Sequence, residues 1–198
     1  MDKTLLFLGG PPDALPAIGK AFSLGYIPFV VDFDWVCPGI RWARKYEQPY
    51  SLVSTYDVDG ILKSVFQAGM PIDGVVAVAC DVAPIVSQVA ATLGCPYVPT
   101  KISRLSWDKL AFKRKLPASI VPGVALDQSG AIVIKPPDSR GGRGVTIYDP
   151  HYKNGLDKKT LLSEAFARAR ANSPTGRVMT EEYVYGDQVS AESLVWAG

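Results

Sequence analysis

A chain of 198 residues is long enough for one large domain or two small ones, each with its own hydrophobic core. Hydrophobic residues make up 47% of the sequence, charged residues 20%, and the formal net charge is +2, a balance that argues against a nucleic-acid partner. Because no apolar run is long enough for a signal peptide or a membrane span, we expect a cytoplasmic protein without a membrane partner.

Side chains that could form a metal site or a nucleophilic catalytic group are few. The cysteines Cys37, Cys80 and Cys95 are odd in number and form no CxxC pair, and His151 is the single histidine. This set argues against a zinc site and against a Ser–His or Cys–His pair. We therefore expect a protein of a reducing compartment, and we name no catalytic side chain and no metal ligand.

The first hundred residues alternate between strand-like and helix-like segments. Apolar runs that predict strands lie at 4–10, 27–34 and 73–81, and segments with helical spacing lie at 14–26, 57–70 and 83–95. Strands that are hydrophobic along their whole length and are separated by helices are typical of a parallel sheet covered on both faces. We therefore predict an α/β domain for this half.

The pattern changes near Pro99, where we place a domain boundary. A basic segment beyond it predicts one short helix, at 103–116, and two apolar runs on either side of a glycine loop predict a hairpin, at 131–135 and 144–149. An amphipathic helix is predicted at 157–172, with one apolar face made of Leu161, Leu162, Ala165, Phe166 and Ala169. The remaining segment, 177–198, predicts two strands separated at Gly186.

The loop of the predicted hairpin, in the sequence IVIKPPDSRGGRGV, has features of a polyphosphate site. Such sites use backbone N–H groups in a loop without bulky side chains, or fixed cations, and usually both. The loop offers glycines and cations together: Gly141, Gly142, Gly144, Lys135 and Arg143. Since the lysine precedes the glycines, the segment is not a P-loop entering a helix. A flexible hairpin turn with solvated charges is the alternative.

A rival site lies at the N-terminus, where Gly9 and Gly10 follow the first strand and Asp32 ends the second. This spacing is that of a dinucleotide fold. Pro11 and Pro12, however, stand where backbone donors should face a pyrophosphate, and proline has no N–H. We therefore interpret Asp32 as a polar residue at a strand end, and NAD binding remains only a weak alternative.

Three further features of the second half point towards a nucleotide. Lys109 begins the basic helix, and TEEYV at 180–184 places two acids before a strand end whose backbone could meet an adenine edge. Gln188 begins a polar face on a strand in 186–195, by the two-residue period. Taken singly, these features equally suit a solvated helix face, a charged edge strand and a half-exposed sheet.

Taken in order, these segments resemble the ATP-grasp superfamily of carboxylate–amine ligases, which includes biotin carboxylase and the carbamoyl-phosphate synthase large chain. The resemblance rests on an alternating α/β domain followed by DK at 108–109, IKPPDSRGGRGV, TEEYVYG and QVSAESLV. It implies a Rossmann-like (pre-ATP-grasp) parallel-sheet domain at 1–98 and an α+β nucleotide-binding lobe at 99–185. Residues 186–198 would then begin a C-terminal lobe that is largely absent from the sequence.

The resemblance also implies ATP and Mg²⁺ as cofactors and gives roles to single residues. Lys109 and Lys135 match phosphate-binding lysines, and Gly141, Gly142, Arg143 and Gly144 match the lid over the triphosphate. Glu181 matches the acid next to the adenine amine, and Glu182 and Val184 match the hinge whose backbone meets the base. Gln188 falls where many members have a ribose-binding glutamate.

The family reaction phosphorylates a carboxylate with ATP, and an amine then attacks the acyl phosphate. Family members place their Mg²⁺ ligands at positions that would follow residue 198. The chain is therefore expected to be either a fragment of a longer ligase, which we favour, or a non-catalytic nucleotide- or metabolite-binding module. In both cases we expect these residues alone to be inactive as a ligase.

The sequence does not identify the substrate acid. We expect a small-molecule carboxylate such as an amino acid, near the strand ends at Asp32 and Asp81. No lysine flanked by methionines is available for biotin attachment. Homodimers are common in the family, so a homodimer is an open expectation.

Overall fold

The computed structural model describes residues 3–117, 130–151 and 157–187, together with residue 189. The chain divides between Lys109 and Leu110 into two compact units. The domain limits that the resemblance implies stay a prediction. Within the described residues no helix is both long and apolar enough to cross a membrane.

The first unit is a parallel sheet with helices on both faces. Its strands are β1 (Thr4–Leu8), β2 (Ile27–Val31), β3 (Tyr50–Ser51) and β4 (Gly74–Val76), and its helices are α1 (Leu15–Ser23), α2 (Pro38–Lys45), α3 (Val58–Ala68), α4 (Ala83–Thr92) and α5 (Thr100–Trp107). The strand order is β3-β2-β1-β4, and every pair is parallel. The predicted parallel α/β sheet is therefore confirmed.

The two faces of this sheet are buried in separate clusters because successive strand residues point in opposite directions. On one face, Leu6, Leu8 and Phe29 pack with residues of α3 and α4. On the other face, Phe7 and Val30 pack with residues of α1 and α2. This explains why the strands are hydrophobic along their whole length.

Several predicted elements differ from the structure. Helix α2 and the short strand β3 were not predicted, and β4 ends at Val76, well before Asp81. The prediction of one helix over 103–116 is wrong, since α5 ends at Trp107 and α6 (Lys109–Lys113) begins after a break. At the break Asp108 has an extended backbone, with φ −94° and ψ 96°, and aspartate favours such a position immediately before a helix.

The second unit is a three-stranded antiparallel sheet with one helix on one face. The strands are β5 (Ile132–Lys135), β6 (Thr146–Tyr148) and β7 (Met179–Glu182), in the order β6-β5-β7, and the helix is α7 (Lys158–Ala171). The predicted hairpin is confirmed because β5 and β6 pair antiparallel. Of the predicted second strand in 177–198, most lies outside the described residues.

Helix α7 begins and packs largely as its sequence predicts. The carboxylate of Asp157 accepts a hydrogen bond from the Thr160 N–H at 3.0 Å, which caps the first turn. Ala165 and Ala169 are buried against Ile132 and Ile134 of β5. Phe166, predicted on the same face, is 38% exposed and lies outside this core.

A close approach of two backbones fixes the first unit near the end of β1. The Gly39 N–H donates to the Gly10 carbonyl oxygen at 2.8 Å. A Cβ atom at Gly39 would lie 2.6 Å from the Gly10 Cα atom, and one at Gly10 would lie 2.8 Å from the Gly39 Cα atom. Only glycine fits at either position unless the backbone moves.

We predict that Gly39→Ala lowers the free energy of unfolding of the first unit by about 1–3 kcal/mol, because the added methyl group overpacks a backbone contact. Gly19→Ala is the matched control, since its Cβ would meet nothing within 4 Å in helix α1. That control should stabilise the unit by about 0.5–1 kcal/mol. Urea unfolding followed by the fluorescence of Trp35 and Trp42 measures both, and equal effects would contradict the close-approach argument.

Candidate functional site

The face of the second sheet opposite α7 carries both apolar and charged side chains. Val133 and Lys135 alternate with the buried Ile132 and Ile134 along β5, so their side chains point away from α7. The register pairs Val133 with Glu181 and Lys135 with Met179, and directly paired residues share a face. We call this the open face; Val133, Ile147, Met179, Lys135 and Glu181 lie on it.

Two lysines bind the same carboxylate on the open face. The Lys113 Nζ atom donates to Glu181 Oε2, and the Lys135 Nζ atom pairs with Glu181 Oε1. The Glu181 side chain is 7% exposed, against 23% for Lys113 and 19% for Lys135. The cluster holds two positive charges and one negative charge, so it retains a net positive charge in a partly buried place.

The balance of burial and pairing decides the protonation of Glu181. Burial raises the pKa of the Glu181 carboxyl, but the hydrogen bonds and charges of Lys113 and Lys135 outweigh burial and hold the pKa below its ordinary value. Glu181 is therefore ionised at neutral pH. Each carboxylate oxygen has a second lone pair, so Glu181 can accept a further donor.

Lys113 is a member of the site that the sequence analysis did not single out. The available signal was its spacing from Lys109, since residues four apart share one side of a helix. Lys109 is the first residue of α6 and Lys113 is the last. The partner of Lys113, Glu181, lies 68 positions further along the chain, and no local pattern predicts such a pairing.

The glycines of the loop fall into two kinds. Gly141 and Gly142 have φ values of +59° and +69°, and a Cβ atom on either would meet nothing within 4 Å. Gly144 has φ +74°, and its Cβ atom would lie 2.8 Å from the Asn172 Cβ atom and 3.2 Å from the Arg168 carbonyl oxygen. Gly141, Gly142 and the exposed Arg143 could therefore approach a ligand, whereas Gly144 packs against the end of α7.

The segment that follows β7 keeps its backbone beside β5 for one more residue. The Tyr183 N–H donates to the Ala131 carbonyl oxygen at 3.0 Å. Glu182 lies on the opposite side of β7 from Glu181, so the two neighbouring acids do not share a face. Val184 is 64% exposed. Gln188 lies outside the described residues.

The rival glycine pair in the first unit has a packing role. One carboxylate oxygen of Asp32 accepts the Gly10 N–H and the other accepts the Asp34 N–H, each at 3.0 Å. The space beside Gly10 is filled by Gly39. The donor and the space that a pyrophosphate would need at Gly10 are therefore already used, which argues against the dinucleotide alternative.

A cavity of about 360 Å³ opens in the first unit, beyond the end of β4. Its lining combines an arginine, carboxylates, aromatic rings and apolar side chains: Arg104, Asp81, Asp108, Trp107, Tyr56 and Ile85 among others. In open α/β sheets ligands bind outside the carboxyl ends of the strands, where the strand order reverses. Asp81 belongs to such a cavity; Asp32 does not line it.

A Mg²⁺ site made by the protein alone does not fit the described side chains. Among residues 3–117, 130–151 and 157–187, no three His, Cys, Asp or Glu side chains group closely enough to hold a metal ion. The carboxylate of the open face, Glu181, is instead bound by two lysines.

Sequence comparison and structural comparison give different results. No protein-family model matches the sequence, and no curated protein gives a significant match. Solved structures do match. The biotin carboxylase domain of 2-oxoglutarate carboxylase from Hydrogenobacter thermophilus, crystallised with MgADP, ADP and bicarbonate, is similar to 93% of this chain, with a TM-score of 0.68 and 17% identity.

Two further structures match over a similar range. The L-amino acid ligase from Bacillus licheniformis has a TM-score of 0.61 at 18% identity over 92% of this chain. The N5-carboxyaminoimidazole synthetase from Staphylococcus aureus, complexed with ADP, has a TM-score of 0.62 at 18% identity over 93% of it. The match covers 45%, 44% and 48% of the three known chains, so this chain spans about half their length. The fold is that of the ATP-grasp carboxylate–amine ligases, as the motifs implied.

We predict that Glu181→Gln destabilises the second unit in a pH-dependent way. Because the folded-state pKa of Glu181 lies below that of the unfolded chain, its ion pairs stabilise the fold above about pH 4.3, the ordinary glutamate pKa. This contribution is lost as the pH falls through the folded pKa. At pH 7 the variant should lose about 1–3 kcal/mol, since Lys113 and Lys135 would then lack their carboxylate.

Urea unfolding followed by circular dichroism at pH 7 and pH 3 checks this prediction. The difference between wild type and Glu181→Gln should shrink at pH 3. Glu182→Gln is the matched control, because Glu182 is exposed, and it should be near neutral at both pH values. A difference for Glu181→Gln that is equally large at both pH values would contradict the ion-pair assignment.

Proposed function

We propose that this chain, which has the ATP-grasp fold, is the ATP-binding part of a ligase that activates a carboxylate for attack by an amine. The observation that carries the proposal is the cationic cluster of Lys113, Glu181 and Lys135 on the open face, directly before a loop with two unhindered glycines. The similarity to ligases crystallised with ADP supports the same proposal.

The triphosphate would bind where the lysines and the loop meet. ATP brings about four negative charges, and phosphoryl transfer depends on cations that neutralise them in a site with little water. Lys135 and Lys113 would exchange part of their contact with Glu181 for phosphate oxygens. Gly141 and Gly142 would bring backbone N–H groups close to the phosphates, and Arg143 would add charge. We give Lys109 the role of a further phosphate ligand.

The adenine ring would lie on the apolar part of the open face. Val133 pairs with Ile147 across β5 and β6. Met179, which pairs with Lys135, lies on the same face of β7. An aromatic base gains most from burial against such side chains. The backbone of Glu182 and Val184 would read the edge of the base, and Glu181 would accept its amine with a remaining lone pair. Gln188 would be the ribose contact.

The first unit would bind the carboxylate substrate. We propose that it is the Rossmann-like domain of the ligase, and its strand order β3-β2-β1-β4 supports that assignment. Arg104 in the cavity beyond β4 could pair with a carboxylate in the bidentate manner that guanidinium groups favour. A carboxylate oxygen would attack the γ-phosphorus as ADP leaves, and an amine would then displace phosphate from the acyl phosphate.

We predict that Lys135→Ala weakens the binding of ATP by about tenfold to a hundredfold, since hydrogen bonds to charged groups contribute about 1.5–3 kcal/mol. Lys158→Ala is the control, because Lys158 is exposed on α7, on the other side of the sheet. Isothermal titration with ATP and Mg²⁺ measures both affinities. Equal affinities for Lys135→Ala and wild type would contradict the proposal.

The same titration, combined with an assay for phosphate release, distinguishes a ligase from a non-catalytic nucleotide-binding module. ATP binding without turnover in the full-length protein would favour a non-catalytic nucleotide-binding module. ATP-dependent phosphate release that requires both a carboxylate and an amine would favour the ligase.

We predict that Arg104→Gln weakens the binding of small carboxylates, amino acids included, and leaves ATP affinity unchanged. The loss should be about tenfold, as expected when a charge-assisted hydrogen bond is removed. Lys101→Gln, an exposed cation on the same helix α5, is the control. A titration with a panel of amino acids and other small acids measures the affinities. If Arg104→Gln binds every acid as tightly as wild type does, Arg104 is not a carboxylate ligand.

A further inference from the structure

The segment between Lys135 and the glycines contains a buried acid that the proposed function does not use. Asp138 is 1% exposed, whereas residues 140–143 are exposed. An acid buried so fully in a surface loop needs donors that compensate for lost water. The donors are found on the segment 173–177, which joins α7 to β7.

Three side chains of that segment bind the two oxygens of Asp138. The Ser173 hydroxyl donates to Oδ1 at 2.6 Å, and the Thr175 hydroxyl donates to Oδ2. The Arg177 Nη2 atom lies 3.3 Å from Oδ2. We call this arrangement the Asp138 clasp.

The residues that bind Asp138 also form hydrogen bonds with one another. The Arg177 Nε–H donates to the Thr175 hydroxyl at 2.7 Å, and the Arg177 backbone N–H donates to the Ser173 hydroxyl at 3.0 Å. Burial raises the pKa of Asp138, but the hydrogen bonds from Ser173, Thr175 and Arg177 prevail and lower it. Asp138 therefore stays charged at neutral pH.

The sequence explains why a side-chain clasp is needed at this place. The pairing of β5 with β7 reaches Lys135 and Met179. The next two residues, Pro136 and Pro137, have no N–H and cannot donate to a strand ladder. Asp138 lies just beyond them, and its carboxylate holds together the two chain segments that backbone hydrogen bonds no longer join.

The other end of the loop is fixed by packing against the same region. Gly144 lies against Ala169, Arg168 and Asn172, where a Cβ atom would have no room. Asn172 directly precedes Ser173 of the clasp. Both ends of the loop are therefore anchored on the C-terminal end of α7 and the segment after it, and the exposed residues between the anchors include Gly141 and Gly142.

We propose that Asp138 is a positioning residue, which fixes the first end of the glycine loop so that only residues 139–143 move over a bound phosphate chain. Its effect on the loop stands independently of the ligand, whereas its effect on ATP rests on the proposed function. Without the clasp, the moving segment would extend back to Lys135. The loop would then lose the preorganisation that makes phosphate binding favourable.

The first test is limited trypsin cleavage of the intact protein without nucleotide, with the products after Arg140 and Arg143 quantified by mass spectrometry. Cleavage of a native loop follows the population of its open form. Asp138→Asn keeps the size of the side chain and removes its charge, and it should speed these cleavages about tenfold, as expected for a buried charged hydrogen-bond partner.

Matched variants separate the clasp from general destabilisation. Asp157→Ala removes the side chain that caps α7 in the same unit without touching the loop, at a cost of about 0.5–2 kcal/mol, and it should leave the two cleavages near the wild-type rate. Thr175→Val removes one donor to Asp138 and should speed cleavage, whereas Thr175→Ser keeps the hydroxyl and should restore the wild-type rate. Thr175→Val gives the answer if Asp138→Asn does not fold.

The second test compares ATP with adenosine, which has no phosphates. If the loop contacts the phosphates, Asp138→Asn should weaken ATP binding about tenfold and leave adenosine binding unchanged. Three results would each overturn the proposal: cleavage at the wild-type rate in Asp138→Asn and Thr175→Val, equal acceleration by Asp157→Ala, or a parallel loss of affinity for ATP and adenosine. If wild type binds no ATP, the proposed function fails, and the cleavage rates alone test whether Asp138 fixes the end of the loop.

Discussion

The second unit depends on one shared carboxylate. Glu181 lies on the open face of the sheet, yet its side chain is buried. A buried carboxylate is tolerated only when hydrogen-bond partners replace the water around it. Lys113 and Lys135 provide that replacement from two different elements, α6 and β5. The same contact keeps two like charges close together, which would repel each other without the acid between them. A cationic site is therefore held in place before any anion arrives, and an anion that binds there competes with a partner already present.

The glycine loop is likewise held by contacts with residues distant in the sequence. Two prolines end the backbone ladder, the Asp138 clasp takes over, and Gly144 packs against α7 at the far end. Between these anchors Gly141 and Gly142 have positive φ values, and a Cβ atom on either would meet no atom of the described residues within 4 Å. If the loop closes over a ligand, as we propose, only its middle would have to move, because both ends are held by these contacts.

The sequence predicts those parts of the molecule that depend on local pattern. Continuous apolar strands, helical spacing and glycine punctuation were enough for the parallel sheet, the hairpin and α7. Strand β3 is a two-residue strand that exists only through its pairing with β2. Helix α2 begins with Pro38, which suits a first helical position, but the next residue, Gly39, is a poor helix former. Glu181 lies 68 residues from its partner Lys113, and Asp138 lies 35 residues from its partner Ser173. Such pairings are set by tertiary packing, so the sequence could suggest Lys135 and Glu181 as site residues but not the lysine or the clasp that complete the arrangement.

The chain contains two glycine pairs that look alike in sequence and differ in their physical use. At Gly10 the N–H is bound by Asp32 and the space is taken by Gly39, so the glycine allows two backbones to touch inside the first unit. At Gly141 and Gly142 nothing occupies the corresponding space, and the residues beside them are exposed. Both pairs follow a strand, although Pro11 and Pro12, directly after the first pair, have no N–H to offer a ligand. The structure adds that the donor and the volume beside Gly10 are already used, which assigns the first pair to packing. The second pair is the one that we propose for an anion.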